Sequence, residues 1–416
     1  MDKNIEDYLN LVKESIHKGY KGELYDYSQT DWHAVVKIAS ETGMLGIVFK
    51  RLKELSAEYE YLKGFVSSYG PVILKHGVAE IKKKECLKKV LSEARAENVP
   101  VMVFKGVLLS ELYPEPGMRF SSDSDMYVDE SERSRMVDIF LRLGYLFDEE
   151  ESNDDVVKYY LNRLHYIELH SKLWSYYRGA KVKAIEKMNL TEKRIHGRYD
   201  GVECDTIDYG NQLIFLMFHL CKHLICEHAT TRFVTDMMLF FYAHYSEMDL
   251  KLLKNRMLML DYWSFFSLLY EISVRYLGFE RLPEMEKLAP VAYNEENAEA
   301  TIIELTLTNR DEFDNQNQCQ MDYSMTPYLM GEYSDLEHLS KGGKRLAYLF
   351  PSVKSFPKEF GYVRKFPILL PIGWIHRIGK YAFDRTFKKD ERIKGTVRMK
   401  KVDERVERLR RMGLVK

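Results

Sequence analysis

The sequence has little cysteine, little proline and no long apolar run, and its charges nearly cancel. Its five cysteines in 416 residues (Cys86, Cys204, Cys221, Cys226 and Cys319) are odd in number and scattered. That usage argues against a disulfide framework and for a reducing compartment. No window approaches the roughly 20 apolar residues of a membrane-spanning helix. The longest apolar stretch near the C-terminus, Phe366 to Ile375, is short and interrupted by Pro367 and Pro371. The first residues, MDKNIEDYLN, carry acids and no apolar core, unlike a secretory leader. A soluble, cytoplasmic protein is the expectation. A formal net charge of -1 removes any global pull toward nucleic acid, so charge arguments must be local. There is no internal repeat and no low-complexity tract.

What is present is an ordinary globular composition, 45% hydrophobic and 30% charged, in a chain long enough for two or three domains. The first hundred residues read as helices. Asp31 is a good N-cap for WHAVVKIASETGMLGIVFKRLKEL, and the helical pattern resumes after Gly70-Pro71, from Val72 to about Glu97. The character then changes. Val99–Phe104 suits a buried strand ended by Lys105-Gly106, and Val107 to Tyr113 a short helix. YPEPGMRFSS is a loop, and Ser122–Val128 alternates as a strand. Ser131 caps a helix to about Leu143, Gly144 breaks it, YLF opens a further strand, and HYIELH (His165–His170) alternates again. Strands interspersed with short helices indicate an α/β core, of α+β or α/β class, flanked by N- and C-terminal helical regions. From Asn211 the pattern is helical to about Arg310, with a polar loop around Asp311–Gln320. The expected division is 1–97 helical, 98–208 core, 209–340 helical and 341–416 a basic tail.

Asp123 and Asp125 are two apart on a strand, so their side chains leave one face while Ser124, Met126 and Val128 leave the other. Adjacent carboxylates repel unless a cation sits between them, and a hard divalent ion accepts carboxylates together with phosphate oxygens. Phosphoryl-type transfer uses that arrangement. Asp-x-Asp alone is also common at a solvated strand end. Three features add weight: Lys105-Gly106 at a strand-to-helix junction suits a phosphate, Arg119 suits a phosphate clamp, and Glu168 shares a face with Tyr166 and His170. Each has a plainer reading, as a turn lysine, a loop arginine and a surface acid. Asp205 is the substitute if Glu168 turns away.

The stretch VPVMVFKGVLLSELYPEPGMRFSSDSDMYV resembles the uncharacterised nucleotidyltransferase family of the DNA polymerase beta-like superfamily. The likeness rests on Val103-Phe104-Lys105-Gly106, Tyr113-Pro114, Gly117, Arg119, Ser122-Asp123-Ser124-Asp125 and, later, Glu168-Leu169-His170. It extends to His219, His223, Arg232 and Asp236, and so over roughly residues 30–290. It departs from the wider superfamily at Val107, where serine or glycine is usual, and at the polar Ser124. The resemblance implies a small mixed sheet flanked by helices and a transfer of NMP from an NTP to an unidentified acceptor, dependent on Mg²⁺ or Mn²⁺. Asp123, Asp125 and Glu168 would hold the metal and do the catalysis. Lys105, Gly106, Arg119 and Ser122 would bind nucleotide, and His170, His219, His223 and Asp236 would line the cleft.

Other readings compete. His219, His223 and Cys226, with Cys221 and His228 near, follow a spacing zinc could use, but a continuous helix seldom supplies three structural ligands. Cleft-lining histidines and core cysteines are favoured over zinc. The last forty residues hold 15 Lys and Arg against 6 Asp and Glu. Such a tail could follow RNA or an anionic membrane, for which FPILLPIGWIHRIGKYAF is aromatic and basic enough. A solvated terminal helix carrying Asp403, Glu404 and Glu407 is favoured over both. A nucleotidyltransferase fold without catalysis, acting as a binding module, is the alternative function.

Overall fold

The computed structural model describes residues 1–121, 123–149, 152, 156–173, 181–226, 229–306, 339–353, 356, 360–387 and 395–414. Ser122, His228, Cys319 and the polar stretch 311–320 lie outside them, as does the side chain of Cys226. The molecule is mostly helical, with one mixed seven-stranded sheet flanked by helices on both sides.

Three helices lead: α1 (Lys3–Ile16), α2 (Trp32–Glu41) and α3 (Leu45–Leu55). Asp31 caps α2 as expected, its carboxylate accepting from the amides of His33 and Ala34. The single helix read across α2 and α3 is in fact two, because the chain turns at Gly43 with φ 72°. The opposite departure follows. Helix α4 (Glu60–Ala96) runs unbroken through Pro71, where a break is expected. An interior proline costs about 3 kcal/mol. Here both halves of the helix are anchored: Leu62, Phe65 and Ile73 lie in the helical core, and Leu87, Val90, Leu91 and Ala94 lie under the sheet.

The sheet contains β1 (Met102–Phe104), β2 (Asp123–Tyr127), β3 (Leu146–Asp148), β4 (Val156–Leu161), β5 (His165–His170), β6 (Arg194–Tyr199) and β7 (Val202–Ile207). Their order is β3-β4-β5-β2-β1-β7-β6. β2 lies parallel to β5 and β1 parallel to β7, while the other pairs are antiparallel. Between strands lie α5 (Gly106–Ser110), α6 (Arg133–Arg142) and α7 (Val182–Glu186). α6 begins two residues after the expected cap, because residues 130–132 form a 3-10 turn first. On one face of the sheet Val103, Met126, Ile167 and Leu169 pack with α4 and with Met136, Ile139 and Phe140 of α6. On the other, Met102 and Phe104 join the core of the helical part.

That helical part holds α8 (Tyr209–Cys226), α9 (Thr231–His244), α10 (Leu250–Met259), α11 (Trp263–Tyr276), α12 (Pro283–Lys287) and α13 (Glu295–Thr306). Further on come α14 (Lys341–Leu349), α15 (Gly361–Lys365), α16 (Leu370–Phe387) and α17 (Gly395–Arg411). The expectation of a solvated terminal helix is overturned. Val402, Val406, Leu409 and Met412 are buried in the helical core, and buried Arg405 donates to Glu304 of α13 and to the carbonyl of Ile225. Apolar residues at 402, 406 and 409 give α17 a stripe that its abundant charge hides. No helix among the described residues is long and apolar enough to cross a membrane.

Candidate functional site

Register creates the site. β1, β2, β5 and β4 align Phe104, Asp125, Glu168 and Lys158 in one row, so the four side chains share a face. Two residues along β5, on the same face, is His170. β1 ends at Lys105, whose φ of 56° and ψ of -129° form a conformation that costs a non-glycine residue about 1–3 kcal/mol. The turn carries the lysine side chain back over the row. Its Nζ lies 2.8 Å from Asp125 Oδ1 and 5.3 Å from the ring centre of Phe215 on α8.

His170 Nε2 lies 3.0 Å from Asp125 Oδ1 and 3.6 Å from Glu168 Oε2, and Lys158 Nζ lies 2.8 Å from Glu168 Oε1. The metal-ligating atoms of Asp125, Glu168 and His170 all fall within 4.8 Å of one another. Burial alone would raise both carboxyls. The Lys105 ammonium and His170 outweigh it at Asp125, and His170, Lys105 and Lys158 outweigh it at Glu168, so both are held below the usual range. Burial would likewise lower His170, but its bonds to Asp125 and Glu168 raise it. Lys105 is raised too: desolvation opposes its charge, and Asp125, Glu168 and Asp123 more than restore it. Asp123 therefore bears on the same ammonium, although it stands outside the close triad.

Helix α8 forms the opposite wall. Phe215 stands edge-on to Phe104 at 5.4 Å between ring centres, and Phe104 edge-on to His170 at 5.3 Å. His219 follows Phe215 one turn along and meets His223 and Phe233. Burial, then the nearby Lys105 charge, pushes the His219 imidazole well below its ordinary value, so it is neutral.

The expected site residues thus divide. Lys105, Asp125, Glu168 and His170 converge, Asp123 shares their face, and His219 is close enough to feel Lys105. Arg119 and Asp236 pair with each other. Arg119 is buried and donates through Nε and Nη2 to both oxygens of Asp236, at 2.8 and 2.6 Å, while Tyr113 donates to the same carboxylate at 2.7 Å. The third guanidinium nitrogen donates to the Gly106 carbonyl at 3.2 Å. This strap ties the loop before β2 to α9. Asp205 sits opposite Met102 on β7, with β1 between it and β2, and it bonds His196 at 2.7 Å. Two features escaped the sequence reading. Lys158 was marked only by a lysine in the apolar run VVKYYL. On the other face, buried His165 bridges Ser124 at 2.9 Å and Tyr145 at 2.6 Å, which accounts for the polar residue between the two aspartates.

Two carboxylates and an imidazole nitrogen on one patch are a donor set that fits a small divalent cation, the oxygens suiting Mg²⁺ and the nitrogen admitting Mn²⁺. The pattern that defines the family described as uncharacterised nucleotidyltransferase matches residues 28–278, well over half of the chain. The chain belongs to that family. Neither a curated protein nor a solved structure matches it. The matched span of this nucleotidyltransferase family member takes in α2 through α11, hence the sheet, the α8 wall and the Arg119–Asp236 strap.

Proposed function

We propose that the protein moves a nucleotidyl group from an NTP to a hydroxyl-bearing acceptor, using a divalent cation held by Asp125 and Glu168, with Asp123 and His170 beside them. The observation that carries this reading is the parallel pairing of β2 with β5, in which Asp125 and Glu168 face each other as ionised carboxylates. A cation bound there would neutralise phosphate charge and make the acceptor oxygen a better nucleophile. The acceptor oxygen bonds to the α-phosphorus, the bond from that phosphorus to the bridging oxygen breaks, and pyrophosphate leaves with the electron pair. Lys105 bonds to Asp125 through a single nitrogen and can turn to the phosphates when nucleotide arrives. Glu168 orients the acceptor hydroxyl, whose proton passes to solvent as the new bond forms. Gly106 follows directly on the turn that would face the triphosphate. The acceptor is a small molecule or a protein hydroxyl, and the scattered cysteines favour the cytoplasm, where NTP is supplied.

One observation favours the alternative of a binding module: Lys105 and Lys158 pair with Asp125 and Glu168 and offset their charge. Isothermal titration with a non-hydrolysable NTP analogue, with and without Mg²⁺, separates the two. Binding that needs the metal and is lost in Asp123→Asn/Asp125→Asn supports transfer, whereas absence of binding to all four common NTP analogues supports the module. Mass spectrometry of a lysate incubated with labelled NTP then distinguishes protein from small-molecule acceptors.

A further inference from the structure

Helix α16 carries the most exposed apolar ridge in the described structure. Ile368, in the 3-10 turn before the helix, is 88% exposed, and Ile372, Ile375 and Ile378 are 56%, 73% and 46% exposed. Their spacing of four, three and three residues keeps them on one side. The opposite side is committed to the protein. A Cβ on Gly373 would come within 2.5 Å of Val363, Trp374 Nε1 donates to the Pro351 carbonyl at 2.9 Å, and buried Arg377 donates to the carbonyls of Tyr348 and Leu349. The helix cannot roll to hide its isoleucines. The segment that carries the ridge is cationic in sequence, with ten Lys and Arg and two acids between residues 339 and 387, and Lys365 and Lys380 are exposed on it.

We infer that this ridge docks the protein on an anionic phospholipid surface. Four outward isoleucines supply apolar area for the acyl boundary, and the basic segment they belong to, with Lys365 and Lys380 exposed, complements acidic headgroups. The helix lies in the interface and does not span the bilayer, consistent with its single apolar stripe and the two prolines at its start. Nucleic acid is the poorer fit, because branched aliphatic side chains neither stack on bases nor bond to phosphates. The inference is independent of the chemistry proposed for the strands.

The test is flotation of the full chain with vesicles of phosphatidylcholine alone or mixed with phosphatidylglycerol at 30 mol%. Wild type is expected to float with the mixed vesicles, to stay behind with phosphatidylcholine alone, and to be released by high salt. Ile372→Ser/Ile375→Ser should lower the partition coefficient by about tenfold or more. Lys365→Gln and Lys380→Gln should each lower it about fivefold. Unchanged thermal melting by circular dichroism would show that these exposed substitutions leave the fold intact. Failure of wild type to bind the mixed vesicles, or binding indifferent to the isoleucine pair, overturns the proposal. So does concentration-dependent self-association that the isoleucine pair abolishes in a protein that ignores lipid.

Discussion

Two buried aspartates in this protein each face a cation, and they are built differently. Asp236 is gripped by both donor nitrogens of Arg119 and by the Tyr113 hydroxyl, so its acceptor positions are filled by a rigid fork. Asp125 meets a lysine point charge and one imidazole nitrogen, and a second carboxylate competes for the same cations. The first arrangement is closed and joins two parts of the chain. The second holds its charges in a form that a metal and a phosphate could take over. Both residues stood in the sequence as site candidates, and it is the identity of the opposing cation that tells them apart.

Breaking the closed pair should have the largest effect. Asp236→Ala strands the Arg119 guanidinium in the interior and is expected to lower stability by about 3–5 kcal/mol, read by urea denaturation. Arg119→Met/Asp236→Leu, which removes both charges, should recover most of that loss. A double variant as unstable as the worse single one would argue that the strap matters through its shape.

The open pair should respond in function. Asp125→Asn is expected to weaken metal-dependent nucleotide binding by about 100-fold, roughly 3 kcal/mol, with less than about 1 kcal/mol lost in stability. The small stability loss follows because Lys105 still faces Glu168 and Asp123. Titration calorimetry and a melting curve on the same preparation check both halves.

A pH series sharpens the comparison from the reverse face of β2. Burial, helped by Lys83, pushes His165 down to about 3. The unfolded chain, with its histidine near 6.5, therefore takes up a proton first as pH falls. Stability from this group is full above about pH 6.5 and is lost progressively down to about pH 3, at about 1.4 kcal/mol per unit. Between pH 6.5 and 5 that is about 2 kcal/mol. His165→Gln should flatten this part of the stability profile, and an unchanged slope would assign the acid sensitivity to other groups.

The smallest effect concerns Lys105 itself. Its positive φ favours glycine, so Lys105→Gly should be about 1 kcal/mol more stable than Lys105→Ala while both lose nucleotide affinity. Equal stability of the two variants would mean the turn relaxes without its lysine.

Much of this contrast could be read in the sequence, because alternation alone puts Asp123 with Asp125 and Glu168 with His170. What alternation leaves open is which strands become neighbours. The pairing of β2 with β5 brings together residues more than forty positions apart, and the Arg119–Asp236 strap spans 117. Local pattern also misjudged Pro71, whose helix is held by packing at both ends, and the charged α17, whose Val402, Val406 and Leu409 join the helical core only in the folded chain, where Arg405 meets α8 and α13. The candidate metal-binding set emerged one residue at a time from sequence. Lys105 stood in the sequence as a phosphate ligand, and its pairing with Asp125 emerged only in three dimensions; Lys158 was marked by no more than its place in the apolar run VVKYYL.

The central claim, that the row on β2 and β5 binds metal with nucleotide, is tested most directly by anomalous diffraction from crystals grown with Mn²⁺ and a non-hydrolysable NTP analogue. The account predicts an anomalous peak within coordination distance of Asp125 and Glu168, with Lys105 turned from Asp125 toward the phosphates. Bound nucleotide with no peak at those carboxylates, and Lys105 still on Asp125, would contradict it.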